Sequence, residues 1–264
     1  MSKLFDSHAH YFDERFDAEF ENVADTILPE LFSGDVGYIV NVGTNNENNS
    51  RCLQMAQRYD GMYAAVGIHP EDCRDYGREE LQKFEDFLVA HRDFKNEKIV
   101  AIGEIGFDYH WEPYDKIHQA FFFEEQMKLA EKYDLPVIIH DREAHGDCFD
   151  MACRFKSVRG VFHSYSGSAE MAAELVKRGW YISFSGVVTF KNASRVKDVV
   201  ASIPLDRLLV ETDAPYLAPH PMRGKINHSG LMRYTVSTLA EIFGKEYEKM
   251  AEILSDNAKN LFGI

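Results

Sequence analysis

Two histidines separated by one residue, His8 and His10, lie near the start of the sequence, and Asp6 precedes them by two positions. Side chains two residues apart in an extended strand point to the same face, so both imidazoles are expected on one side. Neutral imidazole and carboxylate groups are ligands that borderline divalent metals accept. A single histidine at a strand end is more often a hydrogen-bonded structural residue, but the paired spacing favours a metal site.

Further histidines and carboxylates lie at or near the ends of other apolar runs of the sequence. They are His69, Glu104, His140, His163 and Asp213. Burying so many imidazoles and carboxylates without partners would be costly, which argues against a separate structural role for each. A carboxylate placed between two cations can bridge them in a two-metal site roughly 3.5–4 Å across. The residue types therefore predict a shared metal centre.

Eight short apolar runs position these residues, and helical patterns lie between the runs. The runs are Lys3–His8, Gly37–Gly43, Met62–His69, Lys98–Ile105, Leu135–His140, Gly160–His163, Trp180–Ser185 and Arg207–Glu211. Nearly continuous apolar strands that alternate with helices are typical of a parallel sheet buried on both faces. Eight such units predict an α/β fold, a (β/α)8 TIM barrel, whose active site lies at the carboxyl ends of the strands.

The helical patterns and the domain organisation follow from the same reading. Residues Phe16–Leu31 and Gln119–Tyr133 carry apolar side chains at helical spacing, so each is predicted to form a helix. No fixed-period repeat and no internal linker interrupts the sequence. We therefore expect one metal-dependent hydrolase domain over residues 1–264.

The charge of the chain limits the classes of partner. Forty-three acidic residues against 29 basic ones give a net charge of −14, which argues against a protein that coats nucleic acid through many lysine and arginine contacts. It does not argue against an enzyme that holds one or two phosphates through bound metal. No apolar run approaches the roughly 20 residues of a membrane span, so no membrane partner is expected.

The cysteines and the N-terminal residues indicate a compartment. The four cysteines show no C-x-x-C spacing, and free thiols in a reducing cytosol are the simplest interpretation. The first residues lack the apolar stretch of a signal peptide. We therefore expect a cytoplasmic protein, and nothing in the sequence implies an obligate protein partner.

Two other chemistries are disfavoured by missing motifs. Neither G-x-G-x-x-G nor G-x-x-x-x-G-K occurs in the sequence, so neither common phosphate-binding loop for nucleotides is present. No serine or cysteine lies in a G-x-S-x-G turn, which disfavours an acyl-enzyme mechanism.

Several motifs in a fixed order carry a family resemblance. They are Phe5–His10, Val66–Pro70, Ile102–Tyr109, Gln119–Gln126, Leu135–Arg142, Val161–Gly167 and Leu209–Leu217. With them the sequence resembles the TatD family of metal-dependent deoxyribonucleases, a group of amidohydrolase-like barrels, from Leu4 to Phe262. Two divalent metal ions per chain are expected. Ligation rich in histidine suits Zn, Mn, Fe or Ni, and the resemblance implies that Mg also supports activity. The ligands that it implies are His8, His10, Glu104, His140, His163 and Asp213.

Two segments depart from the pattern of the resembled family. Glu71 stands where the family often has a second histidine, and the family's Glu-Pro pair is replaced by His228 and Ser229. Both changes lie in predicted loops within reach of a substrate. They put the preferred substrate in question more than metal binding.

The function expected from these residues is hydrolysis of phosphodiester bonds, with DNA ends or single strands as substrate. His8 and His10 would hold one ion with Glu104 and Asp213, and His140 and His163 would hold a second ion, with Glu104 as the bridge. Water activated by the two ions would attack phosphorus.

The remaining site residues have roles in proton transfer and substrate binding. Asp213 would accept the proton of the attacking water as general base. His69 and Arg142 would bind the phosphate. One alternative is another metal-dependent hydrolase on the same barrel, acting on ester, lactone or aminoacyl-ester bonds. A non-catalytic barrel is the other alternative, although it would require a broken set of ligands.

Overall fold

The computed structural model describes residues 3–23 and 25–264. The strands found there are β1 (Leu4–Ala9), β2 (Val36–Val42), β3 (Met62–Val66), β4 (Ile99–Asp108), β5 (Val137–Arg142), β6 (Gly160–Phe162), β7 (Tyr181–Phe184) and β8 (Leu208–Val210). The helices are α1 (Ile27–Ser33), α2 (Asn46–Arg58), α3 (Arg78–Ala90), α4 (Phe94–Glu97), α5 (Lys116–Tyr133), α6 (His145–Arg154), α7 (Ala169–Lys177), α8 (Ser194–Ser202), α9 (Met232–Phe243) and α10 (Tyr247–Phe262).

The strands follow one another in chain order, β1 to β8, in one sheet, and the strand pairs are parallel. Every residue of β4 is buried, as expected where helices cover a parallel sheet. The predicted (β/α)8 fold is therefore confirmed. Among the described residues, no helix combines the length and the apolar character needed to cross a membrane.

The chain divides into two compact units. One comprises Met1–Asn41 with His163–Ile264, and the other comprises Val42–Phe162. In the first unit, β1 pairs with β2 and β7 pairs with β8. In the second unit, β3 to β6 pair in succession.

The prediction of one continuous helix over Phe16–Leu31 is wrong. The structure has a 3₁₀ segment at Glu14–Ala18 and then α1, which begins only at Ile27. Part of the predicted helix, Ala24, lies outside the described residues.

Weak helix formers explain the interruption. The Asn22 side chain donates to Asp25 Oδ2 at 2.7 Å, and Thr26 Oγ1 donates to the Asn22 carbonyl at 2.7 Å. Short polar side chains that bond to nearby groups in this way compete with the helical hydrogen-bond pattern. The apolar spacing of Phe16–Leu31 therefore does not suffice to form a helix across these residues.

Two glutamines of α5 position the strand ends of the second unit. The side chain of Gln119 accepts a hydrogen bond from Asp108 N and donates one to Asp108 O, at 3.0 and 2.9 Å. Seven residues later, Gln126 accepts from Ile68 N at 2.7 Å and donates to Ile68 O at 3.0 Å. Both glutamines are buried. The helix thus holds the end of β4 and the residue before His69 in place.

Candidate metal sites

The first candidate metal site lies in the first unit, where β1 ends. Nε2 of His8 and Nε2 of His10 are 3.0 Å apart, as the alternation of a strand predicts. Oδ1 of Asp213 lies 3.8 Å from His8 Nε2 and 3.5 Å from His10 Nε2. One donor atom from each of the three residues lies within 4.8 Å of the other two. Two imidazole nitrogens and a carboxylate oxygen fit a divalent cation.

Asp213 reaches this site from the loop after β8. Its backbone has φ of +57°, and its N–H donates to the His8 carbonyl at 2.9 Å. Burial alone would raise the pKa of the Asp213 carboxyl, but the hydrogen bond with His10 and the nearby charges of His8 and His163 lower it below its ordinary value. Asp213 is therefore ionised at neutral pH, which is the form that binds cations.

Asp6 supports the first site from beneath. It is fully buried and accepts hydrogen bonds from Thr212 N at 2.9 Å, Thr212 Oγ1 at 2.6 Å and Ser229 Oγ at 2.6 Å. Burial raises the pKa of Asp6 to about 6, and these hydrogen bonds oppose the rise. With its oxygens taken up by neighbours, Asp6 joins β1 to the loop after β8.

The departure from the family pattern at Ser229 has a structural explanation. Ser229 is fully buried, and Tyr11 Oη lies 2.7 Å from its Oγ and accepts from its N–H at 2.9 Å. Ser229 therefore belongs to the buried Asp6 network rather than to a substrate-contacting loop surface. His228 beside it is only partly buried.

His163 lies beside the first site, directly after β6. Its ring stacks on that of His8, with centroids 4.1 Å apart and planes at 11°. Nδ1 of His163 lies 3.3 Å from Glu211 Oε1, and Ser164 N donates to the same oxygen at 2.7 Å. A carboxylate behind an imidazole is the usual way to orient a metal-binding histidine. Sequence reasoning gave Glu211 no role, although the residue ends the eighth apolar run.

The second candidate metal site lies in the second unit. His69, Glu104 and His140 each offer one donor atom, and these atoms lie within 4.8 Å of one another. His140 Nδ1 lies 2.5 Å from Glu104 Oε1, and His69 Nε2 lies 3.6 Å from the same oxygen. Glu104 is buried inside β4 rather than at its end. The predicted ligands Glu104 and His140 are thus brought together.

A hydrogen bond to Nδ1 of His69 determines which ring nitrogen is the donor. Nδ1 of His69 accepts from the Glu71 N–H at 3.1 Å, so the proton of the neutral ring is on Nε2. A protonated Nε2 donates a hydrogen bond and does not bind a metal ion, so Glu104 and His140 remain as the predicted ligands in the second cluster. This tautomer suits the contact with phosphate predicted for His69.

Asp108 is a site residue that sequence reasoning missed. It ends β4 and is buried, and its Oδ2 lies 3.0 Å from His140 Nε2. Asp108 lies in the motif Ile102–Tyr109, but the family resemblance implies only Glu104 in that motif as a metal ligand. The pairing of Asp108 with Arg142 across β4 and β5 places the two side-chain positions side by side.

Glu71 and Asp108 line one cleft together with Trp111, and Arg142 contacts the Trp111 ring. Arg142 is exposed at the end of β5. Pro70 and Tyr114 also line this cleft. Burial raises the pKa of Glu71 and the charge of Asp108 adds to the rise, while His69, His140 and Arg142 oppose it. The departure at Glu71 thus lies within reach of a bound molecule.

Comparisons with known proteins agree with these features. The family model described as TatD related DNase matches residues 5–263. The chain is 43% identical over 263 residues to the metal-dependent hydrolase YabD of Bacillus subtilis, with 99% of each chain covered. It is 34% identical over 264 residues to the metal-dependent hydrolase YcfH of Escherichia coli K12, covering 99% of this chain and 96% of the relative. The crystal structure of YjjV, a TatD homologue from Escherichia coli K12, superposes with a TM-score of 0.89 at 31% identity, covering 99% and 98% of the two chains.

Proposed function

Because this chain belongs to the TatD-related DNase family and is a metal-dependent hydrolase, we propose that it hydrolyses phosphodiester bonds in DNA, at strand ends or in single strands. The observation that carries the proposal is the pair of clusters, each combining histidine nitrogens with a carboxylate. The net charge of −14 disfavours binding along intact duplex, so the site is expected to contact a short stretch of substrate.

The metal ligands proposed are the six that the family resemblance implies: His8, His10, Glu104, His140, His163 and Asp213. The first cluster supports His8, His10 and Asp213, and the second supports Glu104 and His140. His163 lies beside the first cluster, with its ring stacked on that of His8. Imidazole with carboxylate suits Mg less well than Mn, Zn, Fe or Ni, yet accepts all of them. The proposal that Glu104 serves both ions rests on its place among the strand-end residues of the sequence. When bound, the ions supply Lewis acidity and lower the pKa of a coordinated water.

The side chains around the reacting phosphate have separate tasks. Asp213 accepts the proton of the attacking water, because its pKa is held low enough for the carboxylate to be ionised at neutral pH. His69 donates from Nε2 to a phosphate oxygen, since its Nδ1 already accepts from Glu71 N. The exposed guanidinium of Arg142 contacts a second oxygen.

Hydrolysis of a substrate panel by the metal-reconstituted protein tests the function. The panel contains single-stranded DNA, duplex DNA, RNA, a simple phosphodiester and a carboxylic ester. We expect hydrolysis of single-stranded DNA and of duplex ends, and none by the Glu104→Ala variant under the same metal concentration. Cleavage of the carboxylic ester without cleavage of any phosphodiester would replace the proposal by an esterase or lactonase function.

A further inference from the structure

The two tryptophans of the chain lie in opposite environments. Trp180 is 2% exposed and belongs to the core, whereas Trp111 is 54% exposed. Single exposed apolar side chains are common on protein surfaces and need no explanation by themselves. What distinguishes Trp111 is its place in the cleft that Asp108 and Glu71 also line.

The backbone of Trp111 is tied to the second candidate metal site through one carboxylate. Oδ1 of Asp108 accepts from His110 N at 2.8 Å and from Trp111 N at 3.4 Å. The other oxygen of Asp108 lies 3.0 Å from His140 Nε2. The backbone of Trp111 is therefore held next to the second candidate metal site, although its ring is exposed to solvent.

Arg142 gives the tryptophan a charged neighbour. The guanidinium carbon lies 5.3 Å from the centroid of the Trp111 ring, within the range of a cation–π contact. Arginine combines stacking on aromatic rings with hydrogen bonding to phosphate. An aromatic ring for the base and a guanidinium for the phosphate are thus adjacent. Arg142 lies two residues after His140 along β5.

Stacking also suits a chain of net negative charge. Base stacking does not depend on the sign of a protein's charge, so it provides affinity for nucleic acid even in a chain of net charge −14. In a duplex the bases are already stacked, whereas an unpaired base is free to stack on a side chain.

We propose that Trp111 is a stacking platform for an unpaired nucleobase of the substrate, with Arg142 contacting the phosphate of the same nucleotide. This inference rests on the proposed function and names the part of the substrate that the cleft recognises. It also explains a preference for strand ends and single strands, since only these offer an unstacked base.

Calorimetric binding of two oligomers to the metal-loaded protein tests the inference. One is a phosphorothioate-linked tetrathymidylate, which is hydrolysed slowly, and the other is an abasic oligomer with the same linkages. Trp111→Ala is expected to weaken binding of the tetrathymidylate about 10- to 100-fold and to leave the abasic oligomer unchanged within twofold. Trp111→Phe should restore most of the affinity, because it keeps an aromatic face.

Ile117→Ala is the matched control, because Ile117 is 84% exposed, close in sequence and outside the cleft lining. It should bind both oligomers like the wild type. Fluorescence adds a second readout: the exposed Trp111 should be quenched by tetrathymidylate and not by the abasic oligomer. Equal effects of Trp111→Ala on both oligomers, with DNA still hydrolysed, would overturn the inference alone. If the protein neither binds these oligomers nor hydrolyses any phosphodiester, the proposed function is overturned, and the inference with it.

Discussion

His140 is held between two carboxylates, and the contact with Asp108, 3.0 Å from Nε2 to Oδ2, is the one that links it to the end of β4. Its other nitrogen lies 2.5 Å from Glu104 Oε1. Burial raises the pKa of Asp108, but the hydrogen bond and the electrostatic interaction with His140 lower this pKa below its ordinary value. A cation bound by His140 must therefore replace one of these two contacts.

The Asp108→Asn variant should bind divalent metal about 10- to 100-fold more weakly, the usual effect of losing a carboxylate that orients a metal-binding histidine. Competition with a chelator measures the affinity. Asp141→Asn is the matched control, because Asp141 is also buried and bonds at 2.8 Å to a histidine outside the clusters, His145. Equal affinities of Asp108→Asn and the wild type would show that Asp108 does not orient His140.

Metal analysis at saturating metal should find two divalent ions per chain. His10 belongs to the first cluster and His140 to the second, so His10→Ala and His140→Ala should each lower the stoichiometry from two to one. Chelation should also lower the melting temperature of the wild type, because an ion bound only to the folded state stabilises it by about 2.7 kcal/mol at 100 times its Kd. A wild-type chain without bound metal would contradict the assignment of both sites.

The Glu104→Ala variant should lose both ions and more than about 100-fold in activity, a larger effect than removal of an orienting carboxylate produces. The reason is that one carboxylate is proposed to serve both ions. Glu124→Ala, which changes a glutamate that pairs with Arg154 and Lys128 at the surface of α5, should keep both. Near-normal turnover of Glu104→Ala would mean that the bridge is another group.

The Asp213→Asn variant should keep the fold and lose roughly 10²–10⁴-fold in rate, the usual effect of removing a general base. Asparagine tolerates positive φ better than most residues, so the backbone at +57° should remain. Single-turnover hydrolysis of an oligonucleotide by both proteins, at equal measured metal content, gives the comparison. Full recovery of the rate in excess metal would make Asp213 a ligand only, and the general base would then be another group.

The Ser229→Ala variant should have a free energy of unfolding about 1–3 kcal/mol lower than the wild type, because Asp6 and Tyr11 each lose a hydrogen bond to the buried Ser229 hydroxyl. Urea titration in chelator measures this without a contribution from metal. Ser237→Ala should change stability by less than about 0.5 kcal/mol, since that serine is exposed and bonds within its own helix. Similar stabilities of the two variants would show that the buried network contributes little.

Local pattern was sufficient for the strands and for the closeness of His8 to His10. Apolar runs and the alternation along a strand are properties of adjacent residues, which is why β1 and the approach of His8 to His10 were predictable. The helix over Phe16–Leu31 was not, because hydrogen bonds of Asn22 and Thr26 compete with a favourable apolar spacing.

The sequence by itself determined the α/β class, the order of the strands and the family, because each depends on short motifs in a fixed succession. Only the tertiary structure decided which groups meet: Asp108 with His140, Glu211 with His163, and Ser229 with Asp6 across 223 residues. It also decided that Trp111 is exposed in a cleft while Trp180 is buried. Such pairings depend on strand register and on the path of the loops, and these are set by packing between residues far apart in the chain.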